Sequence, residues 1–231
     1  MNQDRLKWVH QFDCFLFDFD GLLVNTEHLH FLAYRNLCKN HGIELNWDYQ
    51  RFCQAAHFQA MGVRDALYQE FPALYQKEPS WEVLYAEKKQ LYQESLKEGN
   101  LQLMPGVETL LKKLAEHDIP RCVATHSPLQ QVEAIKQALP LLKTIPLWIT
   151  REDYQKPKPE PDSYLLALQK CLTGLRKKAV GFEDALRGLK ALQAAQIETR
   201  ILICSKDHPQ MKDLHPEDAY HFESIESICL G

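Results

Sequence analysis

The chain has 231 residues, 45% hydrophobic and 25% charged, with a formal net charge of -4. That is enough apolar mass for one large domain, or one plus a smaller partner, and the acidic balance gives nucleic-acid binding no support. The polar opening and the lack of a long uncharged apolar run argue against a secretory leader and a membrane span, and seven cysteines without paired spacing read as reduced thiols in the cytosol.

Taken in chain order, Phe12 to Asp20 reads as a first strand, with Cys14-Phe-Leu-Phe17 as its buried part. From Glu27 to about Gly99 the signals are helical. His28, Leu29, Phe31, Leu32, Tyr34, Leu37 and Cys38 recur at helical spacing, Gly42 is a stop, and Ser80 caps a helix from Trp81 to Glu98. After Pro105-Gly106 the pattern changes. Val107, Leu110, Leu111 and Leu114 mark a helix; Arg121–Ala124 is a strand ending at Thr125, and Ser127-Pro128 caps the next helix. Leu147–Ile149 is another strand, followed by a proline-broken loop and a helix from Asp162 to Leu172. Ala179–Phe182 is a strand ending in Glu183-Asp184, a helix spans Ala185–Ala195, and Arg200–Ile203 is the last clear strand. Strands alternating with helices predict an α/β fold with a parallel sheet covered on both faces. The helical block is expected to be an inserted domain that works as a lid.

Asp18 and Asp20 carry the strongest chemical signal. Two positions apart in a strand, they would share a face at its C-terminal tip, where open parallel sheets place ligands, and a divalent cation would relieve their repulsion. Asp18 is a candidate nucleophile toward phosphorus, and Asp20 a candidate acid and base; the alternative is that both only cap a turn. Thr125, with the amide of His126, is placed to hold phosphate oxygens at a helix N-terminus. Lys158, in the rigid Lys156-Pro-Lys-Pro-Glu-Pro161 loop, would neutralise a phosphoryl group, or is a solvated surface lysine. Glu183 and Asp184 offer a second carboxylate site for a hard cation such as Mg2+, or stabilise a helix dipole.

Together these segments resemble the haloacid-dehalogenase-like phosphohydrolase superfamily. Asp18-Phe-Asp-Gly-Leu-Leu-Val-Asn-Thr-Glu27 is similar to its first motif, Val123-Ala-Thr125 to its second and Lys158-Pro-Glu-Pro-Asp162 to its third. Gly181-Phe-Glu-Asp184, with Gly188 and Ala191, is similar to the fourth. The insert resembles the helical cap of the subgroup that holds sugar-phosphate phosphatases and β-phosphoglucomutase. The resemblance implies a Rossmann-like core of residues 1–24 and 103–231 and a helical cap of residues 25–102. It implies a Mg2+-dependent phosphatase acting on a sugar or nucleoside phosphate through an aspartyl-phosphate on Asp18. Asp20 would be the acid/base and give its backbone carbonyl to the metal. Thr125 and Lys158 would bind the phosphoryl group, with Lys156 the weaker alternative, and Asp184 would complete the ligands with Glu183 in support. The dehalogenases of the superfamily lack an acid at the Asp20 position; a halide leaving group needs no proton, so dehalogenation is rejected.

A phosphomutase is the alternative activity. Thr26 and His30 match hinge residues of β-phosphoglucomutase, against a plainer reading as capping or helix-surface residues. Met61-Gly-Val-Arg64 departs from that enzyme's second phosphate-gripping stretch. A catalytically quiet binding module is a third reading, disfavoured because every motif acid and the lysine are present. His30, Arg64 and His126 are substrate-side candidates. Arg64, His57 and Lys88 or Lys89 read mainly as solvated helix-surface residues. The expected partner is a small phosphorylated metabolite, with no nucleic acid or membrane; monomer and homodimer stay open.

Overall fold

In the computed structural model, residues 7–58, 61–97, 101–172 and 178–230 are described. They form two compact units, residues 1–25 with 102–231, and residues 26–101.

The first unit is an α/β fold around six strands: β1 (Cys14–Phe17), β2 (Arg121–Ala124), β3 (Leu147–Ile149), β4 (Ala179–Glu183), β5 (Thr199–Ile203) and β6 (Tyr220–Phe222). All pair parallel in the order β3-β2-β1-β4-β5-β6, which puts β1 beside both β2 and β4. β1, Cys122–Ala124 of β2 and Ala179–Phe182 of β4 are apolar and fully or nearly fully buried, as strands covered on both faces require. On one face Cys14, Leu16, Cys122, Ala124 and Ile149 pack with Tyr164 and Ala167 of the helix Asp162–Cys171 and with Leu189 and Leu192 of the helix Leu186–Ala194. Gly181 lets that second helix lie close: a Cβ there would meet Leu192 Cδ2 at 2.4 Å. On the other face Phe15, Phe17 and Phe182 cluster, with ring centroids 5.1–6.1 Å apart, and Trp8 joins them. The strand read at Phe12–Asp20 is therefore shorter than expected, and β6, absent from the sequence reading, closes one edge of the sheet.

The second unit holds five helices among its described residues: α1 (Thr26–Asn40), α2 (Tyr49–Phe58), α3 (Gly62–Glu70), α4 (Pro72–Lys77) and α5 (Trp81–Lys97). Helices continue in the first unit as α6 (Val107–Glu116), α7 (Leu129–Ala138), α8 (Asp162–Cys171), α9 (Leu186–Ala194) and α10 (Ile225–Leu230). The helical unit has its own core: Leu37, Leu67, Leu74 and Leu84 are fully buried. Each such side chain contributes roughly 1.5–3 kcal/mol of transfer free energy. Ser80 does accept from the amide of Val83 at 3.4 Å, as the cap reading requires; Glu98 and Gly99, the expected end of that helix, lie outside the described residues. Within the first unit, the two chain crossings are tied to each other: Asn25 N donates to Gln102 O at 3.1 Å, and Gln102 N to Asn25 Oδ1 at 2.8 Å. No helix among the described residues is long and apolar enough to cross a membrane.

Candidate active site

The central strand delivers Asp18. β1 stops at Phe17, and Asp18 N donates to Phe182 O at 3.0 Å, fixing its backbone against β4. Lys158 Nζ reaches Asp18 Oδ1 at 2.5 Å, Glu183 Oε1 at 2.7 Å and the Tyr164 hydroxyl at 3.0 Å. Tyr164 donates in turn to Glu183 Oε1 at 2.5 Å. Lys158 is only 6% exposed, so it is not the solvated lysine of the plainer reading. Burial by itself pulls a lysine's pKa down; here the Asp18 and Glu183 carboxylates outweigh burial and hold it up, so the ammonium stays charged. Burial raises Glu183, with Lys158 pulling the other way, and lifts Tyr164 far above the phenol range. Lys156 is exposed, and its amide donates to Asp162 Oδ2 at 3.2 Å. Proximity to Asp18 thus separates the two lysines, which spacing alone left open.

Carboxylate oxygens of Asp18, Glu183 and Asp184 lie within 4.8 Å of one another. An all-oxygen, all-anionic donor set of this kind fits a hard divalent cation. Asp184 is held by its backbone: Gln210 Nε2 donates to Asp184 O at 2.7 Å, while Leu186 N donates to Gln210 Oε1 at 3.0 Å. Gln210 is 2% exposed and pins the turn between β4 and α9. Glu183 is positioned by Gly188, where a Cβ would fall 1.9 Å from its carboxylate.

Asp20 takes a different course. Phe19 is buried, and Asp20 pairs with Val24 in a short bridge as the chain folds back. Its Oδ2 accepts from Ser127 Oγ at 2.5 Å and Thr125 Oγ1 at 3.4 Å, and its Oδ1 from Gln131 Nε2 at 3.4 Å. Asp18 turns to Lys158, Asp20 turns to the loop after β2, and Glu183 takes the third place in the acidic cluster. Ser127 was expected to cap the following helix. It does not: α7 has no side-chain cap, and the Ser127 hydroxyl donates to the Asp20 carboxyl instead.

Thr125 is buried, its amide on Ile149 O and its Oγ1 accepting from Ser127 N at 2.9 Å. Tyr154 donates to Thr125 O at 3.0 Å, so the His126 Nδ1–Tyr154 contact, also 3.0 Å, has the imidazole as donor. Burial, with Arg187, Lys158 and Arg151 adding to it, pushes His126 down to about 4, so the ring is neutral.

In the helical unit, His30 is not a free helix-surface residue. Lys88 Nζ lies 2.6 Å from its Nδ1, and Tyr92 stacks on it at 4.1 Å. Burial first, then Lys88, lowers its pKa. Lys88, expected in solvent, is 4% exposed, with the Tyr34, Tyr85 and Tyr92 rings 5.0–5.8 Å from its Nζ. Lys89 is exposed, and Thr26 is fully buried. Arg64 pairs with its neighbour Asp65 at 2.7 Å. The side chain of His57 lies outside the described residues. Tyr164, Gln210, Ser127, Gln131 and Tyr154 are the positioning residues that sequence reasoning missed.

Residues 15–202 match the family model described as haloacid dehalogenase-like hydrolase. The chain is 31% identical over 188 residues to a phosphorylated carbohydrates phosphatase of Thermotoga maritima, covering 79% of this chain and 81% of that one. It is 29% identical over 191 residues to a probable pseudouridine-5'-phosphatase of Drosophila melanogaster, covering 79% and 78%. Its fold is similar to that of CbbY from Rhodobacter sphaeroides, solved in complex with phosphate, with a TM-score of 0.72 at 23% identity over 94% of this chain and 96% of that one. The chain belongs to the haloacid dehalogenase-like hydrolases and, like the relatives it matches, is a phosphatase.

Proposed function

We propose that the enzyme is Mg2+-dependent and releases phosphate from a small sugar or nucleoside phosphate through an aspartyl-phosphate on Asp18. The observation that carries this is the convergence on Asp18: a buried lysine 2.5 Å from its Oδ1, and two further carboxylates within 4.8 Å. The carbohydrate and pseudouridine phosphatases among its relatives support the substrate class.

In this reading an Asp18 oxygen attacks phosphorus while Lys158 and Thr125 hold the phosphoryl oxygens. Asp20 gives a proton to the leaving oxygen and later takes one from the water that frees Asp18. Ser127, Thr125 and Gln131 orient it for both tasks. Asp18 and Asp184 would hold Mg2+, with Asp20 contributing its backbone carbonyl and Glu183 in support; when bound, the ion offsets charge between the carboxylates and the phosphoryl oxygens. Residues 26–101 act as a cap that chooses the organic part of the ester. Six free cysteines among the described residues favour the cytosol as the place of work.

The test is phosphate release from a panel of phosphorylated metabolites with Mg2+, comparing the natural chain with Asp18→Asn. Turnover of at least one small ester, lost in the variant while its circular dichroism is unchanged, is the expected result. Substantial residual turnover in Asp18→Asn would overturn the assignment. One observation favours a second reading, a phosphomutase: His30 is fixed by Lys88 and Tyr92 rather than solvated. Against it, Arg64 is engaged by Asp65. Incubation with a hexose 1-phosphate and a bisphosphate activator separates them: isomer without free phosphate marks the mutase.

A further inference from the structure

Two histidines of the first unit have no part in the phosphatase chemistry. His10 lies in the short 3-10 helix Lys7–Gln11, ahead of β1, and His117 ends α6, ahead of β2. β1 and β2 run parallel and lead to Asp18 and Thr125 at their far ends, so the pair sits at the opposite end of the sheet from the acidic cluster. The two imidazoles meet with ring centroids 4.6 Å apart and planes at 86°. Both residues are exposed, so burial of apolar surface gives little reason for the contact. Among the described residues, neither ring makes a hydrogen bond or an ion pair.

We propose that His10 and His117 form a two-imidazole site for a divalent transition-metal ion of the Ni2+ or Cu2+ class, separate from the hard-cation cluster at Asp18. Imidazole nitrogens suit such ions, whereas an all-carboxylate set suits Mg2+. The ring separation decides the geometry. A metal lies on the line from a ring's centroid through its ligating nitrogen. With a metal–nitrogen bond of about 2.05 Å and a nitrogen roughly 1.1 Å from its centroid, two rings on one ion stand about 4.5 Å apart at a right angle and about 5.1 Å apart at the tetrahedral angle. The observed 4.6 Å corresponds to an angle of about 94° at the ion. That is the cis angle of a tetragonal ion such as Ni2+ or Cu2+ rather than the wider angle of tetrahedral Zn2+. Near-perpendicular planes let both nitrogens approach one ion without a collision between the rings. The surroundings favour a cation as well. His117 stands at the C-terminus of α6, the negative end of the helix dipole, between the exposed Glu116 and Asp118. The two rings fill two cis positions and water fills the others. The ion ties the Lys7–Gln11 helix to α6, and it binds the folded core in preference to the unfolded chain.

Ni2+ is the probe, because it leaves the free cysteines unoxidised. The full-length protein is titrated with Ni2+ by isothermal calorimetry in excess Mg2+, which competes for the acidic cluster. One equivalent should bind, and His10→Ala and His117→Ala should each weaken binding at least about tenfold, because a single imidazole cannot chelate. Ni2+ at about a hundred times its Kd should raise the melting temperature of the natural chain by roughly 5–10 °C, and that of either variant far less. Without metal the three proteins should melt alike, since both rings are exposed; His10→Gln and His117→Gln serve if alanine proves costly. Zn2+ should bind more weakly than Ni2+. No Ni2+ binding, equal binding in the variants, or tighter binding of Zn2+ would overturn the proposal.

Discussion

Gly188→Ala tests the site's architecture without touching a group assigned to the chemistry. Gly188 is in the first turn of α9, and an added Cβ would lie 1.9 Å from Glu183 Cδ and Oε1 and 2.2 Å from Oε2. Glu183 is 1% exposed, and its Oε1 is bound to Lys158 at 2.7 Å and Tyr164 at 2.5 Å. The carboxylate cannot swing into water, so the methyl must break those bonds. Hydrogen bonds to charged groups contribute about 1.5–3 kcal/mol, and overpacking costs about 1–3 kcal/mol. Alanine's better helix propensity returns about 1 kcal/mol. The net expectation is a loss of roughly 2–4 kcal/mol, read as a fall in melting temperature of roughly 5–15 °C. Lys158 then loses one of its two counter-charges, and kcat should fall at least about tenfold, the equivalent of about 1.4 kcal/mol on the barrier. Gly181→Ala is the matched control. Its Cβ would strike only Leu192, at 2.4 Å, so it should lose stability while keeping kcat per folded molecule. A Gly188→Ala protein with natural melting temperature and kcat would refute the claim that Glu183 must stay where it is.

Ser127→Ala should lower kcat by roughly tenfold with little change in stability, because it removes the 2.5 Å hydrogen bond that orients Asp20; steady-state kinetics on a chromogenic phosphoester reads this out. Lys158→Met strips the shared cation from Asp18 and Glu183 and should cost about 3–5 kcal/mol by denaturant titration at pH 8. That cost should shrink toward pH 5, since Glu183 is already raised in the fold and gains a proton more readily than in the unfolded chain. A pH-independent cost would refute the pairing. His126 is held down to about 4 in the fold, against about 6.5 unfolded. Between those values the unfolded chain takes a proton that the folded one refuses, so folding stability falls as pH drops, by up to about 1.4 kcal/mol per unit. His126→Asn should flatten that slope, and an unchanged slope would show that the ring is not neutral in the fold.

What could be seen in the sequence follows the reach of each interaction. β1 to β5 announced themselves as apolar runs because a doubly covered parallel sheet demands them. β6 is three residues at an edge, with Tyr220 66% exposed, and carries no such run. Asp18 and Lys158 stood out because strand ends and proline-rich loops are local signals. Gln210 acts 26 residues from Asp184, and Tyr164 acts 19 residues from Glu183, where no local pattern links them. Leu22, Leu23 and Val24 are all fully buried, and Val24 bridges back to Asp20, so the chain turns just after Asp20. Ser127 looked like a cap because capping signals are local, yet its hydroxyl donates to Asp20, which precedes it by 107 residues in the chain. Lys88 is the instructive miss, because its burial was readable. Leu84, Lys88 and Tyr92 fall at i, i+4 and i+8 of α5, and all three are buried. Residue type argued for solvent while position argued for the interior. Position won because three tyrosine rings and His30 replace the water that an ammonium gives up. A charged residue on the apolar stripe of a helix should therefore be read first as a buried group needing partners, and its partners sought among the aromatic residues one turn away.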